Sequence, residues 1–264
     1  MSRLVAIVLA VVGALLAAVP ARAQPPTGIV RPDNEARLSL LQLGQQLFAG
    51  NCVSCHGIDG RGVTSRKQQL GAGALRGLGP RLDGVGAGVA DFYLRTGYMP
   101  LGRPHEQPSR HRVQFTDREI RALVAYVASL GPGPPIPRPN PGRGRLPEGL
   151  QLFTDHCAGC HQVVAQGGIV TGARVPPLDQ ATPVQIAEAV RSGPYLMPRF
   201  SKKEITDPEL DSIIAYVLRS RHPVDKGGWG IGNIGPVPEG MVTWFLAAVA
   251  FVMFCLVLGR RLRA

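Results

Sequence analysis

The sequence predicts an all-α protein: two tandem helical modules followed by one membrane-spanning helix. Three observations carry this expectation. A set of five landmarks occurs twice in the same order, apolar residues recur at helical spacing around both copies, and residues 241–259 form an uncharged apolar run.

The duplication organises the chain. The first copy runs through Gly44 and Phe48, the pentad Cys52-Val-Ser-Cys55-His56, Pro80-Arg-Leu82, Tyr98-Met99-Pro100, and a helix-like stretch ending in Tyr126-Val127. The second runs through Gly149 and Phe153, Cys157-Ala-Gly-Cys160-His161, Pro176-Pro-Leu178, Leu196-Met197-Pro198, and Tyr216-Val217. In both, the Gly precedes the Phe by four residues and the Phe precedes the first Cys by four.

Helical pattern surrounds these landmarks. Leu40, Leu43, Gly44, Leu47 and Phe48 share one face of a helix entering the first pentad. Thr116 and Glu119 are spaced as a capping box before the stripe Ile120, Leu123, Val124, Val127 and Leu130. Thr206 and Glu209, with Pro208 in the first turn, open a second such helix through Leu210, Ile213, Ile214, Val217 and Leu218. The stretches between are rich in Gly, Pro and Arg and show no strand alternation. The organisation predicted is residues 35–131 for module 1, 132–147 for a proline-rich linker, 148–222 for module 2, and 223–240 for a glycine-rich juxtamembrane linker. Alternating prolines in 132–147 forbid helix and favour an extended, semi-rigid spacer; the interspersed glycines leave a disordered hinge as the alternative.

Two apolar segments set the compartment. Leu4 to Val19 follows Arg3 and is closed by Ala21-Arg22-Ala23, the pattern of a secretory signal over residues 1–23. An uncleaved N-terminal anchor is the alternative. Residues 241–259 suit a membrane helix, and the basic tail at 260–264 (Arg260, Arg261, Arg263) places the C-terminus in the cytoplasm. The modules then lie on the extracytoplasmic side of the cell membrane. Net charge is +11, but five arginines flank the apolar runs; without them 24 basic residues face 18 acidic ones. A nucleic-acid binder finds no support in that distribution.

Four of the five cysteines fall in the two pentads, so a disulfide framework is a poor reading. A C-x-x-C-H pentad puts two thiols on one turn, where they reach the two vinyl groups of one porphyrin, and turns the next histidine to its iron. Repeated in a duplicated helical frame, it predicts two covalent heme c groups on Cys52 and Cys55 and on Cys157 and Cys160, with His56 and His161 as proximal ligands. A thioredoxin-like pair expects a βαβ setting, which is missing; a zinc site from both pairs stays formally open. The sixth ligands predicted are Met99, 43 residues after His56, and Met197, 36 after His161. Of five methionines these two fall at matched places, each before a proline; a core-filling role is the alternative. A thioether opposite imidazole raises the potential and leaves no open position, which favours electron transfer over catalysis. His105, His111, His156 and His222 have no counterparts across the repeat and are read as surface or structural. The carbonyls of Pro80 and Pro176 are candidates to orient the two imidazoles. Cys255, in the apolar run, is read as a small packing residue, with acylation as the alternative.

With these residues in place, both halves resemble class I cytochrome c. The resemblance implies that Gly44 meets the helix bearing Tyr126, and Gly149 the helix bearing Tyr216. The whole arrangement, including the tail from Gly227 to Gly240 ahead of Trp244, resembles the diheme cytochrome c subunit of actinobacterial cytochrome bc1 complexes. One departure is the Ala-x-Ala site, since some members keep an N-terminal hydrophobic helix. The family implies an electron-transfer subunit of menaquinol–cytochrome c reductase, with no substrate chemistry of its own. Its implied partners are the Rieske iron–sulfur and cytochrome b subunits and the copper centre of a terminal cytochrome c oxidase. The first heme would face the Rieske protein and the second the oxidase. A cytochrome subunit of a membrane dehydrogenase, a diheme peroxidase and a structural tether are the other classes weighed.

Overall fold

The computed structural model describes residues 28–63, 78–103, 106–222 and 236–263. The predicted signal segment 1–23, residues 223–235 of the glycine-rich linker, and His105 lie outside them. The described chain is mostly helical: α1 (Leu40–Asn51), α2 (Val53–His56), α3 (Gly86–Arg95), α4 (Asp117–Ser129), α5 (Leu146–His156), α6 (Ala158–His161), α7 (Pro183–Ser192), α8 (Asp207–Ser220) and α9 (Pro236–Arg263).

Each module is a crossed helix pair with a smaller helix against it. In module 1, Leu43, Leu47 and Phe48 of α1 bury against Ile120, Leu123 and Val127 of α4. Leu40, at the open end of the predicted stripe, is 43% exposed. The crossing is as close as it is because Gly44 has no side chain: a Cβ there would lie 2.8 Å from Tyr126 Cβ. Gly149 plays the same part beneath Tyr216, at 2.9 Å. Phe48 and Tyr126 then meet at 5.0 Å between ring centroids and an interplanar angle of 49°. Phe153 and Tyr216 repeat the contact at 5.3 Å and 50°. The duplication is thus one of packing as well as sequence.

Helix starts follow their chemistry. Thr116–Glu119 and Thr206–Glu209 form the predicted capping boxes, and Ser39–Gln42 and Thr182–Gln185 form two more. Glu119 is fully buried; its carboxylate also takes Arg31 Nε at 2.5 Å, which fastens the segment before α1 onto α4. Module 2 departs from an all-helical outline by one antiparallel hairpin, β1 (Gly168–Val170) and β2 (Ala173–Val175). Strands of three residues are too short to show alternation, so the sequence pattern does not reveal them.

The proline-rich segment does not hold the modules apart. Pro134 O accepts the Gly88 N–H of α3 at 3.0 Å, and Asp211 of α8 accepts the Asn140 N–H at 2.6 Å. The segment is a strap lying on both modules. It can lie so close because α3 carries Gly88, where a Cβ would sit 2.7 Å from Pro135 O. Beside it α3 packs directly on α7, so the helices leading into the two methionine loops face one another.

Helix α9 includes Gly240–Arg261, 22 residues of mean hydropathy 2.6 with none of its apolar window buried. At 1.5 Å per residue it is about 33 Å long, enough for a bilayer core. Trp244, Phe245, Phe251 and Phe254 all face outward.

Candidate functional site

Each pentad forms one helical turn capped by its first cysteine. Cys52 and Cys157 are the N-caps of α2 and α6, and the histidine closes each turn. The His56 N–H bonds Cys52 O at 2.9 Å, and the His161 N–H bonds Cys157 O at 2.9 Å. The chain then leaves through a left-handed residue, Gly57 at φ 76° in module 1 and Gln162 at φ 60° in module 2. That turn lets the next loop double back: the Gly62 N–H meets His56 O at 2.7 Å, and the Gly167 N–H meets His161 O at 3.0 Å.

The proline loops close over the same turn. His56 Nδ1 lies 2.9 Å from Pro80 O, and His161 Nδ1 lies 3.2 Å from Pro176 O. A carbonyl only accepts, so Nδ1 carries the proton and Nε2 keeps its lone pair. Burial holds both imidazoles below the usual histidine value, against the opposing effect of the proline hydrogen bond. They are therefore neutral and able to ligate near neutral pH. The proline landmark has a partner two residues on: the Leu82 N–H bonds Gly60 O at 2.7 Å, and the Leu178 N–H bonds Ala165 O at 2.9 Å. In module 1 the close approach requires Gly79, where a Cβ would lie 3.1 Å from His56 Nδ1. In module 2 strand β2 delivers Pro176 instead.

None of the five cysteines is in a disulfide. Burial, with the neighbouring Cys55, pushes the Cys52 thiol up to about 12; burial, with Cys160, pushes Cys157 up to about 11. A dithiol redox pair needs the opposite shift, since its attacking thiol works as a thiolate. Among the described residues no three His, Cys, Asp or Glu side chains converge as a metal-ion site, and the two C-x-x-C pairs lie in separate modules. The remaining donors are the thioethers. Met99 is half-buried on the core that also receives Cys52 and Val53, and Met197 on the core that receives Cys157 and Ala158. Each module thus offers two thiols, a neutral imidazole of fixed tautomer and a thioether at one core edge. That donor set fits a covalently held heme.

The unmatched histidines do other things. His111 meets Ser109 Oγ at 2.7 Å, His156 stacks edge-on to Phe200 at 5.9 Å, and His222 is exposed. Sequence reasoning missed the residues joining the modules, above all Gln107, Arg110 and Gln185. Only Gln185 carries a legible signal, as the third residue after the Thr182 cap.

Residues 41–131 match the family described as Cytochrome c, and residues 144–217 match Cytochrome C oxidase, cbb3-type, subunit III. The cytochrome bc1 complex cytochrome c subunit of Corynebacterium diphtheriae is 32% identical over 95% of this chain and 91% of its own length. The same subunit of Mycobacterium tuberculosis H37Rv is 36% identical over 89% of this chain and 83% of its own. The chain belongs to this family of bc1 complex cytochrome c subunits. Its two cytochrome c domains imply heme c, and with its exposed apolar helix it is a membrane protein. A cbb3-type oxidase subunit CcoP of Rhodobacter capsulatus is 36% identical, over 39% of this chain.

Proposed function

We propose that this chain is the membrane-anchored diheme electron carrier of a respiratory menaquinol–cytochrome c reductase. It takes electrons from the Rieske iron–sulfur protein, beside cytochrome b, and passes them towards the copper centre of a terminal cytochrome c oxidase. Cys52 and Cys55, and Cys157 and Cys160, hold the two hemes covalently. His56 with Met99, and His161 with Met197, are the axial ligands. When bound, each heme supplies a one-electron centre at a potential raised by its thioether ligand.

The protein residues do the rest. Pro80 and Pro176 fix the imidazole tautomer and orientation, so Nε2 is presented without rearrangement. The crossed pairs α1–α4 and α5–α8 hold the cysteine turns rigid. Helix α9 keeps both modules at the extracytoplasmic membrane face. Module 1 receives from the Rieske side and module 2 delivers to the oxidase side.

The observation that carries this reading is the repetition of one donor set and one locked histidine in two modules, in a chain that also has an exposed 22-residue apolar helix. A peroxidase needs an open sixth position, which matched methionines do not leave. The oxidase-subunit likeness reaches well under half of the chain, whereas the bc1 relatives match almost all of it.

Two measurements test the proposal. Affinity purification of the full chain in mild detergent, followed by mass spectrometry, recovers Rieske, cytochrome b and oxidase subunits. Recovery of dehydrogenase subunits instead refutes it. In a Met197→Ala complex supplied with menaquinol, electrons reach the first heme quickly and stall there; stalling before the first heme overturns the assigned order.

A further inference from the structure

The contacts between the modules join segments that carry the expected heme ligands. Gln107, eight residues after Met99, pairs with the Arg174 backbone in both directions: Nε2 donates to Arg174 O at 2.5 Å, and Oε1 accepts the Arg174 N–H at 2.9 Å. Arg174 lies in β2, two residues before Pro176. The methionine loop of module 1 is thereby clipped to the strand that delivers the His161 anchor of module 2.

A second clip sits at Gln185, which is 6% exposed. Its Oε1 accepts from Arg110 Nη2 at 3.0 Å, and its Nε2 donates to Arg95 O, the end of α3, at 3.3 Å. Both module 1 partners flank the Tyr98-Met99 loop. Within module 1 the Tyr93 carbonyl accepts the Met99 N–H at 3.1 Å. Tyr93 and Tyr98 pack edge-on at 6.0 Å. Tyr195, two residues before Met197, is held at φ 56°, a left-handed conformation that a bulky side chain adopts only when its surroundings impose it.

We infer that Gln107, Arg110 and Gln185 are positioning residues that lock the ligand loops of the two modules together, so that the two heme sites keep one relative placement. The inference rests on the diheme reading above. It argues against the disordered hinge, the alternative reading of residues 132–147. With a flexible connection the sites would drift, and transfer would wait on their encounter. With two clips seated on or beside the ligand loops, transfer between sites proceeds from a single geometry.

The test uses the full holo chain in detergent, with one-electron photoreduction and amide hydrogen exchange as separate readouts. The double variant Gln107→Ala/Arg110→Ala removes the first clip and the Arg110 half of the second, and leaves the α7 cap and the Gln185–Arg95 bond in place. Gln107→Ala alone removes only the clip to Arg174. Wild-type electron equilibration between the hemes is expected to be single-exponential and independent of added glycerol. The double variant slows it on the order of tenfold and makes it viscosity-dependent. Exchange accelerates in 98–103, 106–111 and 168–175 while α1 and α8 keep their protection. Gln107→Ala alone accelerates exchange around 173–175, and the absorption of both sites is unchanged. Unchanged exchange and rate in both variants, or a wild-type rate that already falls with viscosity, overturns the lock. Failure of menaquinol to reduce the chain in its complex would instead count against the proposed function, and the exchange readout would still decide the lock.

Discussion

Substituting Gly44 by alanine tests the helix crossing that sets the first module, because two effects oppose each other there in sign. Gly44 is interior to α1, and replacing a helical glycine by alanine gains about 0.5–1 kcal/mol. Against this, the new Cβ would lie 2.8 Å from Tyr126 Cβ and press on the Ala122 backbone. Neither obstacle is the tip of a flexible side chain. The Ala122 carbonyl oxygen lies nearer still, so the helices must part by roughly 1.5 Å to restore contact distances near 3.5–4 Å. Parting them opens the interface of Leu43, Leu47 and Phe48 with Ile120, Leu123 and Val127. Overpacking of this kind costs about 1–3 kcal/mol, and more where backbone must move. The net is a loss of about 1–2 kcal/mol, or roughly 4–16 °C in Tm for a domain of this size. Gly50→Ala in the same helix is the milder comparison, since its Cβ would come to 3.0 Å from Val30 Cγ1 and 3.1 Å from Val30 Cβ, tight contacts that a shift of the N-terminal segment relieves without parting α1 from α4. Thermal unfolding of the holo chain, followed by circular dichroism and heme absorption, reads both. A Gly44→Ala protein as stable as the wild type, or more so, refutes the packing argument. Gly149→Ala is expected to repeat the loss in module 2, where Tyr216 Cβ is 2.9 Å away.

Arg31→Met should cost about 3–5 kcal/mol, because it leaves the buried Glu119 carboxylate without its guanidinium. Adding Glu119→Gln should recover most of that, and a loss under about 1 kcal/mol by denaturant titration argues against the pair. Glu188 sits at the seam of α7 with α3, facing Asp91 and Arg95, with neither carboxyl oxygen hydrogen-bonded. Burial first, and the Asp91 carboxylate next, push it up to about 8 from an ordinary 4.5. The folded chain then holds a proton that the unfolded chain has released, so this group makes stability fall as pH rises from about 4.5 to about 8. Glu188→Gln should flatten Tm across that window; an unchanged slope assigns the pH dependence elsewhere.

Much of each module was legible because its determinants are local. The capping boxes, the i, i+4 spacing of Gly44 with Phe48, and the C-x-x-C-H turn are each set within a few residues, and the structure shows them all. The two proline carbonyls were legible only through the repeat: nothing near Pro80 says that it will reach His56, 24 residues away. What escaped the sequence is what depends on one module meeting the other. Gly86 and Gly88 weaken α3 as a helix in isolation, and their reason for being there is the strap at Pro134 and Pro135. The strap itself reads as a spacer because prolines specify extension and say nothing about what the extended chain lies on. The clips at Gln107 and Gln185 use uncharged amides, which carry no pattern in composition or periodicity. Their partners are mostly backbone groups, whose positions exist only once both modules have folded. A duplicated sequence therefore announces its repeats and conceals their interface, because the repeat constrains each copy separately. An electron carrier with two centres depends on that interface, so the residues to vary next are those without counterparts across the repeat.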